Sequence, residues 1–162
     1  MKKVAVMMGS DSDWPILKPA ADLLKQFGIA SEVVVASAHR TPAKVREFVS
    51  EAQEQGIGAF IVAAGAAAHL AGVVASYTTL PVIGVPINAT ALNGMDALLS
   101  TVQMPSGVPV ATMAINGAKN AAIFAVQIFA VEDASLAEQL KAYREKMVQE
   151  VEKKAARVAA QL

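Results

Sequence analysis

Short apolar runs alternate five times with stretches of helical apolar spacing, and no other feature of the chain constrains its fold so tightly. Lys3–Met8, Glu32–Ala36, Ala59–Ala63, Pro81–Val85 and Val108–Ile115 read as buried strands. After the first run, Ile16, Leu17, Ala20, Leu23, Leu24 and Phe27 recur at helical spacing. Ser12 or Asp13 is the expected cap of that helix, Pro15 sits in its first turn and Gly28 stops it. Thr41 is the expected cap of a second helix, which has Pro42 at its first position, an apolar stripe of Val45, Phe48, Val49 and Ala52, and Gly56 as its close. Further helices are expected from His69 through Ser76, after Gly94 to about Gln103, from about Ala118 to Val131, and from about Ala134 to near the end. Alternation of this kind predicts a parallel sheet with helices on both faces and right-handed crossovers.

At 162 residues the chain suits a single domain. The simplest arrangement is a three-layer, flavodoxin-like α/β fold with a five-stranded parallel sheet in the order 2-1-3-4-5. Residues 1–131 would form the core and residues 132–162 a C-terminal helical extension.

Charge is distributed unevenly. Between Ile57 and Val131 the only formally charged residues are Asp96 and Lys119, whereas the tail from Glu132 to Leu162 carries twelve. A lone monomer needs charged surface on every segment. Ile57–Ala75 has nearly the length of a membrane span, but it is mostly Ala and Gly, contains His69, and is followed by Pro81, Pro86, Asn88 and Asn93. The better expectation is burial against other copies of the same chain in a large homo-oligomer, with the final helix on a neighbouring subunit. A net charge of zero and a pI near 6.7 lack the basic footprint of a nucleic-acid binder. The absence of cysteine removes disulfides, thiolate metal sites and cysteine nucleophiles, and fits a reducing, cytoplasmic setting. Met1-Lys2-Lys3 before Val4–Met8 has the start of a leader, but the apolar run is too short.

In an open parallel sheet, ligands bind beyond the carboxyl ends of the strands. The loops expected there are Gly9–Asp13, Ser37–Thr41, Ala64–His69, Pro86–Gly94 and Asn116–Lys119. They hold both histidines and Arg40. No Walker or G-x-G-x-x-G motif is present. Gly9-Ser10 and Arg40-Thr41 each lead into a helix start, where free N–H groups favour anions, and arginine adds a bidentate, permanently charged clamp. Ser10, Ser12, Ser37 and Arg40 together suit one phosphate monoester, although each serine alone serves equally as a cap. Asp13 is either a cap or an acceptor for ribose hydroxyls. His39 is the candidate for proton transfer, because imidazole gives and takes protons near neutral pH. His69 is either a second catalytic group or, the preferred reading, a residue that starts its helix and bonds to the backbone.

Other chemistries fit poorly. His39, His69 and Asp13 do not have the spacing of a metal site. G-x-S-x-G, the nucleophile elbow of a hydrolase, is absent. A phospho-receiver would need an acidic residue where Ala64-Gly65 stands.

Five segments together resemble one family. They are Met8-Gly9-Ser10-Asp11-Ser12-Asp13-Trp14, Ser37-Ala38-His39-Arg40-Thr41-Pro42, Ala67-Ala68-His69-Leu70, Gly84-Val85-Pro86 and Val102–Val110. In that order they closely resemble the N5-carboxyaminoimidazole ribonucleotide mutases, over nearly the whole chain. The resemblance implies an octamer with active sites between subunits, and a role in purine biosynthesis beside an ATP-dependent synthetase of the same ribonucleotide. It implies transfer of a carboxylate from N5 to ring carbon C4 without metal or organic cofactor. It places substrate binding on Ser10, Asp13 and Arg40 and general acid/base work on His39. The loop Gly65, Ala66, Ala67 and Ala68, followed by His69, is the expected holder of carbon dioxide. A sister class carboxylates the aminoimidazole directly and carries lysine where Arg40 stands. The family usually has a second glycine where this chain has Ala66, and a proline where it has Ala71. If that backbone needs a positive φ, Ala66 costs on the order of 1 kcal/mol. A non-enzymatic module binding a nucleotide monophosphate is the alternative from a different class.

Overall fold

The computed structural model describes residues 2–161; Met1, the first residue of the leader-like segment, and Leu162 lie outside them. Strands β1 (Lys3–Met8), β2 (Ser31–Val35), β3 (Ile57–Gly65), β4 (Val82–Ile87) and β5 (Ala111–Thr112) form one sheet. The order is β2-β1-β3-β4-β5, and every pairing is parallel. Between and after them come α1 (Trp14–Gln26), α2 (Pro42–Glu51), α3 (Leu70–Tyr77), α4 (Met95–Val102), α5 (Ala118–Ala130) and α6 (Ala134–Ala159). This is the expected flavodoxin-like α/β architecture. The chain divides into two compact units, one through Ala125 and one from Val126 onward.

The sheet pleat sorts the core. Ala5 and Met7 of β1, Phe60 and Val62 of β3 and Val82 of β4 pack with Val45 and Val49 of α2 and Leu70, Ala71 and Val74 of α3. Their neighbours Val4, Val6, Met8 and Ile61 are fully buried too, and alternation directs them to the opposite face, the side of α1. The central strands β1, β3 and β4 are therefore apolar along almost their whole length, as strands covered on both faces must be. Helix α4 approaches closely because β4 carries Gly84. A Cβ there would lie 2.5 Å from Thr101 Cγ2 and 2.9 Å from Val110 Cγ1.

Several boundaries differ from expectation. Strand β5 is two residues long rather than eight, because Pro109 has no N–H to donate and the strand lies at the sheet edge. Strand β3 extends to Gly65 and β4 to Ile87, so both reach further toward the loops than their densest apolar runs suggested. Helix α2 stops at Glu51, and a turn carries the chain to Gly56 at φ +81°.

The expected caps of α1 and α2 are also corrected. A 3-10 turn, Asp11–Asp13, precedes α1, and its cap is Ser10, whose hydroxyl accepts from the Ser12 N–H. Asp13 makes no side-chain cap bond to α1, nor does Thr41 to α2. Asp133, by contrast, caps α6 by accepting from the Ser135 and Leu136 N–H groups.

Candidate active site

The carboxyl ends of β1, β2 and β3 release three loops around one cavity of about 370 Å³. It is lined by Gly9, Ser10, Ser12 and Asp13 after β1, by Ser37, Ala38, His39 and Arg40 after β2, and by Ala64 and Gly65 at the end of β3, Ala66 and Ala67 of the third loop and Leu70 at the start of α3. Ala89, beyond β4, closes one side. Of the residues expected from sequence to bind or react, Ser10, Ser12, Asp13, Ser37, His39, Arg40, Gly65, Ala66 and Ala67 therefore share one wall. Ala68 does not: its side chain is fully buried and its N–H donates to the Ala66 carbonyl at 2.8 Å. His69 stands behind His39 rather than on the cavity lining. The loop Asn116–Lys119, also expected at this edge, lines a separate cavity with Pro15, Ile16 and Pro19.

The second loop is held by its own side chains. Thr41 Oγ1 accepts from the Ser37 N–H at 2.8 Å and donates to the Ser37 carbonyl at 3.2 Å. These two bonds replace the helix cap expected of Thr41 and close the loop that carries His39 and Arg40. Ser37 Oγ accepts from the Arg40 N–H at 3.2 Å, and the Arg40 guanidinium donates from Nη2 to the Gly9 carbonyl at 3.0 Å. Arg40 thus ties the second loop to the first. No carboxylate forms an ion pair with it among the described residues, so its charge stays available to an anion. In the first loop the Ser12 hydroxyl donates to Ser10 Oγ at 2.9 Å.

Asp13 is nearly buried. Burial pushes its carboxyl above the usual carboxylate range, against the opposing pull of hydrogen bonds from the Ser12 side chain and the Ser10 backbone; the negative charge of Asp11 adds to the rise. A buried carboxylate that caps no helix, on the lining of a cavity that Arg40 also lines, is placed to accept hydrogen bonds from ligand hydroxyls.

The third loop is built from small residues and a strained turn. Ala66 lies at φ +53°, the left-handed conformation that its place in the sequence put in question. Gly65 admits the close approach of the β4 loop, since a Cβ there would come within 2.6 Å of Ala89 Cβ. Ala68 and His69 donate their N–H groups to the Ala66 and Ala67 carbonyls, while the Ala66 and Ala67 N–H groups make no hydrogen bond among the described residues. This turn delivers His69 to the start of α3. Its side chain makes no cap bond to the backbone, contrary to expectation. Instead His69 Nδ1 lies 3.0 Å from His39 Nε2, with the two rings edge to face at 79°. Sequence reasoning missed this contact and the wall residue Ala89. The pairing of β1 between β2 and β3 supplies the proximity, and nothing local in sequence encodes it.

Among the described residues no group of three or more His, Asp or Glu side chains is placed to hold a metal ion. No described helix is long and apolar enough to cross a membrane.

A family model described as AIR carboxylase matches residues 3–150. The N5-carboxyaminoimidazole ribonucleotide mutase of Thermotoga maritima is 52% identical over 98% of this chain and 92% of its own length. That of Pyrococcus horikoshii is 52% identical over 96% of this chain and 88% of its own. The crystal structure of Treponema denticola PurE superposes with a TM-score of 0.87 at 30% identity, covering 94% of this chain and 96% of that one. With a matching family model, half of its residues shared with these mutases and the same fold in a solved relative, the chain is an enzyme of the AIR carboxylase family, among the N5-carboxyaminoimidazole ribonucleotide mutases.

Proposed function

We propose that this enzyme converts N5-carboxyaminoimidazole ribonucleotide to 4-carboxy-5-aminoimidazole ribonucleotide in purine biosynthesis, with His39 as the general acid/base. The observation that carries this reading is the convergence of His39 and Arg40, from one clamped loop, on a cavity that also holds Ser10, Ser12 and Asp13. Arg40, Ser10, Ser12 and Ser37 bind the 5′-phosphate, and Asp13 accepts hydrogen bonds from the ribose. His39 then donates a proton to N5 of the carbamate, whose C–N bond breaks to release carbon dioxide. The ring recaptures the gas through C4 with formation of a C–C bond, and His39 takes the proton that C4 loses. One proton leaves the imidazole and one returns, so the cycle closes without a further reactant. The small-residue loop Gly65–Ala67, with its unbonded N–H groups, keeps carbon dioxide in a dry cleft between the two bond changes. His69 enters this reading as a residue near the substrate.

The enzyme works as a homo-oligomer, an octamer in this reading, in the cytoplasm beside an ATP-dependent synthetase that forms its labile substrate. Support for assembly comes from Met95, Leu99 and Val102, whose spacing aligns them along α4, and from Leu92 just before it, all about half exposed or more within the charge-poor stretch. Helix α6 likewise leaves Met147, Val148, Val151 and Val158 exposed, which suits packing on a neighbouring subunit.

Mixing the protein with the N5-carboxylated ribonucleotide and following ultraviolet absorbance of the C4 product tests the reading. His39→Asn should lose at least about 100-fold in kcat while retaining phosphate affinity. Arg40→Ala should chiefly raise KM. Turnover of the unmodified aminoimidazole ribonucleotide with carbon dioxide in place of the carbamate would assign the chain to direct carboxylation. Binding without turnover of either would make it a nucleotide-binding module.

A further inference from the structure

The contact between the two histidines gives His69 a different task from touching substrate. We propose that His69 is a positioning residue whose Nδ1 accepts the Nε2–H of His39, leaving His39 Nδ1 as the nitrogen that exchanges a proton with the substrate. This rests on His39 being the general acid/base.

Two imidazole nitrogens 3.0 Å apart share one proton. Suppose His69 Nδ1 carries it. His39 Nε2 is then a bare lone pair, and neutral His39 holds its hydrogen on Nδ1. To act as an acid it must either become an imidazolate or first gain a proton on Nε2, directly against the His69 N–H. Suppose instead that His39 Nε2 carries the shared proton. His69 Nδ1 is then the acceptor, and its own hydrogen sits on Nε2. His39 can now gain a second proton on Nδ1, pass it to the substrate nitrogen, and recover one from the ring carbon. The Nε2–H bond to His69 persists through every stage. Only the second arrangement leaves the contact intact in both halves of the reaction.

The backbone shows which ring holds which. His39 lies in a loop, whereas His69 begins α3: its carbonyl accepts from the Val73 N–H at 3.0 Å and its N–H donates to the Ala67 carbonyl at 2.9 Å. The helix fixes His69, and His69 fixes the plane and tautomer of His39, as a partner on the second nitrogen of a functional imidazole does generally.

The chain has just two histidines, so protein labelled with ¹⁵N-histidine shows four ring nitrogens, and His69→Gln leaves only those of His39. Neutral His39 in the parent protein should appear as the Nε2–H tautomer with Nδ1 unprotonated. His69→Leu, which cannot accept, should lower kcat by about 10- to 100-fold with KM altered less than about threefold. His69→Gln, whose amide oxygen can accept, should recover part of that loss. An Nδ1–H tautomer in the parent, parental kcat in His69→Leu, or a loss carried by KM overturns the proposal. The tautomer is read without turnover and in the unaltered protein. It therefore stands or falls separately from the acid/base reading, which parental turnover by His39→Asn would remove on its own.

Discussion

Asp13 and Ala66 are each held in a state that an isolated residue avoids. The folded state raises the carboxyl of Asp13 above its ordinary range, so between the ordinary and the raised value the folded chain binds more protons than the unfolded one. Stability therefore falls as pH rises through that window and stays reduced at neutral pH. Asp13→Asn should raise the melting temperature at neutral pH, with the gain vanishing below the ordinary carboxylate range. The same change should weaken nucleotide affinity by about 10- to 100-fold, the worth of a hydrogen bond to a charged acceptor. Melting curves at both pH values, with a binding titration, check the pair of effects. Ala66 at φ +53° behaves differently. Ala66→Gly relieves left-handed strain but frees the unfolded chain, so stability should change by less than about 0.5 kcal/mol. Ala66→Val, β-branched at the same φ, should cost about 2 kcal/mol in denaturant unfolding and lower turnover with it.

At the scale of elements, Gly84 sets how near α4 and the chain around Val110 come to the sheet. Gly84→Ala should cost about 1–3 kcal/mol, since Thr101 and Val110 must both move; chemical denaturation measures it. The strand–helix alternation and the sheet order were legible in the sequence because buried parallel strands are continuous apolar runs and their order follows from few topological rules. The site was legible as a set of loops for the same reason. What sequence could not supply were the bonds that replace expected ones. Thr41 has the sequence signature of a cap before Pro42, yet its hydroxyl closes the loop onto Ser37. Asp13 looks like a cap and leaves that task to Ser10. Short polar side chains have several backbone partners within reach, and the loop geometry chooses among them. Strand β5 was overread because apolar content around Pro109 does not restore a missing donor.

For the whole molecule, the exposed stripe of α4 makes a definite demand. Replacing both Met95 and Leu99 by Glu places like charges on the face proposed to join copies. Light scattering should then show a smaller species with its circular dichroism spectrum unchanged; a parental mass would move the interface elsewhere. The meeting of His39 and His69 reaches beyond catalysis. The chain has just two histidines, and both sit at one hydrogen-bonded point. The imidazole resonances of the entire protein thus come from a single spot, and a histidine-selective spectrum, recorded with and without nucleotide, becomes a counter of occupied sites.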